Sequence, residues 1–214
     1  MKKIMLIGDS IREGYDKFVK MAFEDVAEVY YPAENCRFAQ YVQRYLGVWL
    51  DESGFGDDVD CLHWNAGLWD CLIMYEDGTF TPIDMYERTI DRLCNRIKRL
   101  FPKAKVIFAT NTPVREHLYE NPALLFRKNS DIEAYNEVAI KVVTKYGFEV
   151  NDLHSLLKDV PESYHSDCTH YYTPEATRLI SNKVIECISN ALEITPKTLD
   201  YDDIFMNKKD IVGI

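Results

Sequence analysis

Two short polar stretches at opposite ends of the chain carry residue types suited to nucleophilic chemistry. Near the start, the apolar run Ile4 to Ile7 stops at Gly8-Asp9-Ser10. A glycine there lets the chain turn sharply. A serine in such a turn, at the start of a helix, presents its hydroxyl to a crevice beside free backbone N–H groups able to hold an oxyanion. A hydroxyl needs a base, and the histidines are His63, His117, His154, His165 and His170. Of these, His170 stands three residues after Asp167 in "HSDCTHYYTPEA". In a turn, that spacing lets the carboxylate bond the imidazole, fix its tautomer and stabilise the imidazolium formed when it takes a proton. Ser10, Asp167 and His170 are therefore the candidate nucleophile, orienting acid and base.

Each half has another reading. Asp9 or Ser10 can cap the following helix, and a polar loop before a helix can be simple solvated surface. The same loop offers imidazole and carboxylate groups at His165, Asp167 and His170, to which Asp9 could be added, so a metal-dependent hydrolase is the alternative chemistry.

The elements that must position these residues alternate in type. Strands are predicted over Lys3 to Gly8, Ala27 to Tyr31, Asp60 to Ala66, Lys105 to Thr110 and Phe148 to Asp152, separated by amphipathic helices. That alternation implies crossover connections and a parallel sheet covered on both faces, an α/β three-layer sandwich. In Pro82 to Leu100 the apolar residues Ile83, Tyr86, Ile90, Leu93, Ile97 and Leu100 recur at steps of three and four, with Thr81 as the expected N-cap. Ser130 and Glu133 predict a capping box for a helix through Lys145 that stops at Gly147, and Thr173-Pro174 opens another carrying Ala176, Ile180, Val184 and Ile188. A further helix is expected over Phe38 to Leu50. The domain is placed at residues 1–192, with 193–214 as an extension lacking periodicity. Ligands of open parallel sheets bind beyond the carboxyl ends of the strands, which is where Ser10 falls.

These residues resemble the SGNH or GDSL hydrolases, a family of esterases and acylhydrolases on a flavodoxin-like fold with a five-stranded parallel sheet. The likeness runs from about Met1 to Ala191. The family's first block, G-D-S, matches Gly8-Asp9-Ser10, and its last, D-x-x-H, matches Asp167 and His170. "TNTPV" at Thr110 to Val114 is similar to the end of the family's fourth strand. The middle blocks depart from the pattern. Where a second-block glycine would lend its amide to the oxyanion hole, "PAENCRFAQ" places Cys36. Where the third block, G-x-N-D, would supply an asparagine, Gly67-Leu68-Trp69-Asp70 places Trp69. The resemblance thus implies an oxyanion hole from the amides of Ser10 and Cys36 and a side chain of Asn65 or Trp69. Asp9, Asn35, Gly67 and Tyr171 are expected to line the substrate cleft. Trp64, Trp69, Tyr171 and Tyr172 would suit stacking on a sugar.

Composition narrows the partners. With 25 basic and 35 acidic residues the 214-residue chain carries a net charge of −10, which disfavours nucleic acid and anionic membranes. Six cysteines without a C-x-x-C pair favour free thiols over disulfides or a thiolate zinc site. The apolar run after Met1-Lys2-Lys3 is too short for a secretory core, so a cytoplasmic protein is expected. The favoured expectation is a serine esterase that needs no cofactor. Its substrate would be a small-molecule ester with a small acyl group such as acetyl, since nothing resembles a lipase lid, and the aromatic residues lean toward a carbohydrate as the alcohol. A carbohydrate-binding protein without catalysis on the same fold is a further alternative. A homodimer is compatible with the sequence.

Overall fold

The computed structural model describes residues 1–207. In chain order it forms β1 (Lys2–Ile7), α1 (Ser10–Glu13), α2 (Asp16–Phe23), β2 (Ala27–Tyr30), α3 (Ala39–Ser53), β3 (Cys61–Trp64), β4 (Ile73–Met74), α4 (Ile83–Leu100), β5 (Lys105–Ala109), β6 (Leu125–Phe126), α5 (Asn129–Lys145), β7 (Glu149–Asn151), α6 (Leu153–Leu157), α7 (Pro174–Leu192) and α8 (Tyr201–Asn207). Five strands make one parallel sheet in the order β2-β1-β3-β5-β7. This is the flavodoxin-like order, whose switch point lies between β1 and β3. Helices α2 and α7 pack together on one face, and α3, α4 and α5 on the other.

The central strands are mostly apolar because both their faces are covered. Ile4 to Ile7 of β1 are fully buried, as is the whole of β3. His63 of β3 is buried with them, between the Tyr15 hydroxyl at 3.3 Å and the Asn151 amide at 3.1 Å. Burial pushes its pKa down to about 3 and keeps it neutral.

Two helix starts differ from their sequence signals. The first residue of α4 is Ile83, with Pro82 at the cap position and no capping side chain. Thr81 is drawn aside instead, its amide bonding the Asp70 carbonyl at 2.9 Å. Helix α5 likewise starts at Asn129 after an uncapping Lys128, with Ser130 inside its first turn. The Asn129 side chain is spent on the backbone of Val114, accepting from its N–H and donating to its carbonyl. Thr173 does cap α7, accepting from the Ala176 amide, with Pro174 in the first helical position.

Two features lacked a sequence signal. A two-stranded antiparallel ribbon pairs Ile73 with Phe126 and Met74 with Leu125. Beyond α7 the chain returns to the body: the Lys197 amide bonds the Ala22 carbonyl at 2.8 Å, and Tyr201 of α8 stacks on Phe18 of α2. The rest of the expected extension, residues 208–214, lies outside the described residues.

Candidate active site

Gly8-Asp9-Ser10 leaves β1 at the switch point and turns directly into α1. Asp9 is wholly buried and caps that helix, its carboxylate accepting from the Ile11 amide at 3.0 Å. Capping thus falls to Asp9, and Ser10, at the first helical position, keeps its hydroxyl free of that role. Gly8 is required by crowding. A Cβ there would lie 2.0 Å from Asn65 Oδ1 and 2.8 Å from the Arg12 Cβ.

The loop before α7 folds back on itself, with the Ser166 amide bonding the His170 carbonyl at 2.9 Å. Within it, one oxygen of Asp167 accepts from the amides of Thr169 and His170 at 2.7 and 2.8 Å. The other lies 2.7 Å from His170 Nδ1, and His170 Nε2 lies 2.8 Å from Ser10 Oγ. A carboxylate beside Nδ1 assigns the proton to that nitrogen and leaves Nε2 to accept from the serine. Partial burial works to raise the Asp167 pKa, but the two amides and the imidazole outweigh it and hold the carboxyl below its usual range.

The oxyanion side corrects one expectation. Cys36 is fully buried, and its amide donates to the Gly8 carbonyl at 3.1 Å, so that N–H ties the second-block loop to β1 and is not a free oxyanion donor. Burial pushes its thiol pKa up to about 12, in keeping with a packing residue. Asn65 is held at the end of β3 by its own amide on the Ile7 carbonyl at 3.0 Å. Its carboxamide lies against Gly8 and beside Asp9, favouring the charged form of that otherwise pKa-raised acid. Trp69 lies half-buried in the turn after β3.

Three of the four expected cleft residues, and one expected sugar platform, are structural. Asp9 has no exposure. Gly67 is buried at a φ of +148°, pressed against the Asn111 amide where no Cβ would fit. Tyr171 is 2% exposed, with its hydroxyl on the Pro113 carbonyl at 2.8 Å and its ring against His165. Trp64 is buried edge-on to Phe108 in the core. Asn35 is half-buried and shapes the second-block turn, accepting from the Arg37 amide at 2.8 Å and reaching Glu13 at 3.4 Å. Because His165 turns to Tyr171 while Asp167 and His170 pair with each other, their loop does not converge as a ligand set. Among the described residues no three His, Cys, Asp or Glu side chains gather as a metal cluster.

Residues the sequence did not single out hold the crevice together. Arg12 is 1% exposed, paired with the buried Asp16, and donates to the carbonyls of Glu34 at 2.7 Å and Gly8 at 3.5 Å. It thereby locks the second-block loop onto the Gly8-Asp9-Ser10 turn. Arg127, placed by β6, donates to the Leu68 carbonyl at 2.5 Å and to the Thr169 hydroxyl at 3.4 Å, joining the third-block loop to the loop of Asp167 and His170. The signal for Arg12 was an arginine four residues before an aspartate on an otherwise apolar face. Arg127 had none.

No protein-family model matches the chain. Among solved structures it is similar to the lipase/acylhydrolase from Enterococcus faecalis (TM-score 0.71, 18% identity, covering 93% of this chain and 100% of that one). It is also similar to an acetylxylan esterase from Geobacillus stearothermophilus (TM-score 0.64, 16% identity, 86% and 93% covered). The fold is that of the GDSL/SGNH hydrolases. In sequence, the chain is 22% identical over 198 residues to the N-acetylneuraminate (7)9-O-acetyltransferase of Danio rerio, covering 86% of this chain but only 25% of that relative's length. Among the described residues no helix is long and apolar enough to cross a membrane.

Proposed function

We propose that the chain is a serine esterase that hydrolyses a small acyl ester, acetyl above all, through an acyl-enzyme on Ser10. The observation that carries this is the continuous line from Asp167 through His170 to Ser10 Oγ, at 2.7 and 2.8 Å, drawn from opposite ends of the chain. In this reading His170 Nε2 takes the hydroxyl proton as Ser10 Oγ attacks the ester carbonyl. It then returns the proton to the departing alcohol as the tetrahedral centre collapses to the acyl-enzyme. Water, deprotonated by the same nitrogen, releases the acid and restores Ser10. Asp167 keeps the ring oriented and balances the imidazolium.

The oxyanion is received by the Ser10 amide, at a helix N-terminus where N–H groups lack helical partners, and by the Asn65 carboxamide across Gly8. Asn65 is preferred over Trp69 because its carboxamide lies at the nucleophile turn: Oδ1 faces Gly8 and the NH2 donates to Asp9, which leaves its second hydrogen to meet the oxyanion.

The acetyl preference draws support from the acetylxylan esterase neighbour and the acetyltransferase relative. The latter also favours a second reading in which a sugar hydroxyl, instead of water, accepts the acyl group. Hydrolysis of 4-nitrophenyl acetate by the parent and by Ser10→Ala tests the proposal, and added alcohol acceptors separate hydrolysis from transfer. No turnover of any acetyl ester by the parent favours a binding protein on this fold. Turnover that survives intact in Ser10→Ala removes the serine mechanism.

A further inference from the structure

Tyr172 touches both halves of the proposed pair without a place in the reaction. Its hydroxyl donates to the backbone carbonyl of Ser10 at 2.6 Å. Its ring lies on the His170 imidazole, with centroids 4.9 Å apart and planes within 20°. The Ser10 carbonyl has need of that donor. In a continuing α-helix it would accept from the Gly14 amide, but that amide turns to the carbonyls of Ile11 and Arg12 as α1 ends. Gly14 also makes room for the ring, since a Cβ there would come within 2.9 Å of it. Burial, reinforced by the charges of Glu13 and Asp9, raises the phenol pKa, so the group stays a donor through the working pH range.

We propose that Tyr172 is a positioning residue: one rigid ring that ties the main chain of the nucleophile to the plane of its base and so keeps Ser10 Oγ in line with His170 Nε2. The inference rests on the serine-esterase reading. Its two contacts separate by substitution, because Tyr172→Phe removes the donor and keeps the stack, whereas Tyr172→Leu removes both. A hydroxyl lost from the nucleophile's carbonyl loosens the line between oxygen and nitrogen, and a misplacement approaching 1 Å costs about 10²-fold in rate.

The test is the rate at which a fluorophosphonate labels Ser10 in parent and variants, run beside 4-nitrophenyl acetate kinetics. Tyr172→Phe is expected to lower labelling and kcat about 10-fold, with KM little changed. Tyr172→Leu, which also leaves one face of the imidazole without its packing partner, is expected to lose about 10²-fold in labelling and kcat, with KM again little changed. A Phe variant that labels and turns over at the parental rate overturns the inference, and this arm stands even if the Leu variant does not fold. So does a pair of variants altered only in thermal midpoint. A parent that does not label at all overturns the serine-esterase reading first, and this inference falls with it.

Discussion

The two ends of the chain and its two middle loops build the crevice by different means. At the ends the key groups are held by neighbours: Asp9 by the amide two residues on, and Asp167 by the amides of Thr169 and His170. In the middle the loops are held from a distance, the second block by Arg12 on the Glu34 carbonyl and the third by Arg127 on the Leu68 carbonyl. Local holding ties function to a short motif. Distant holding fixes the loop backbone through carbonyls that any side chain leaves in place, so it does not depend on Cys36 or Trp69.

That contrast ranks the expected effects of substitution. At the ends, Ser10→Ala should lower kcat by about 10⁶-fold, and Asp167→Asn, which upsets the imidazole tautomer, by about 10³- to 10⁴-fold, both read from 4-nitrophenyl acetate turnover. In the middle, Asn65→Ala should cost about 10²- to 10³-fold as the loss of one oxyanion donor, while Trp69→Phe should cost less than about 3-fold. A reversed order for Asn65 and Trp69 would hand the oxyanion role back to the third-block turn. Gly8→Ala should resemble Asn65→Ala or worse, since its methyl would occupy the space of Asn65 Oδ1. Circular dichroism separates a displaced carboxamide from an unfolded chain.

Smaller effects concern pH. Asp70, buried against the start of α3 with its carboxylate on the Ala39 amide at 3.0 Å, has its pKa pushed up by burial to about 7. A folded pKa above the ordinary 3.8 means that the fold favours the protonated acid. That contribution is complete below the ordinary value and is lost as the pH climbs toward about 7. Urea midpoints should therefore fall between pH 5 and pH 8, and Asp70→Asn should flatten the decline.

How much was legible follows from the same distinction. The layered α/β architecture, its five parallel strands, the helix cap at Thr173 and the spacing of Asp167 to His170 are matters of local periodicity and near-neighbour bonding, which a sequence displays. The direction of the Cys36 amide is not: nothing in "PAENCRFAQ" says that its N–H turns to the Gly8 carbonyl. The ribbon between Ile73–Met74 and Leu125–Phe126 is too short for alternation to register, so Arg127 could not be placed beside Thr169. Tyr171 and Tyr172 are adjacent and alike in type, yet one is locked under the loop and the other lies on the imidazole. Only the turn of the backbone decides between them.

The central claim is that Ser10 becomes acylated during turnover. Rapid-quench intact-mass spectrometry during 4-nitrophenyl acetate hydrolysis, with peptide mapping, tests it most directly. The account predicts one transient acetyl group per chain, mapped to Ser10 and absent from Ser10→Ala. Sustained turnover with no adduct at Ser10, or with the adduct on another residue, would contradict it.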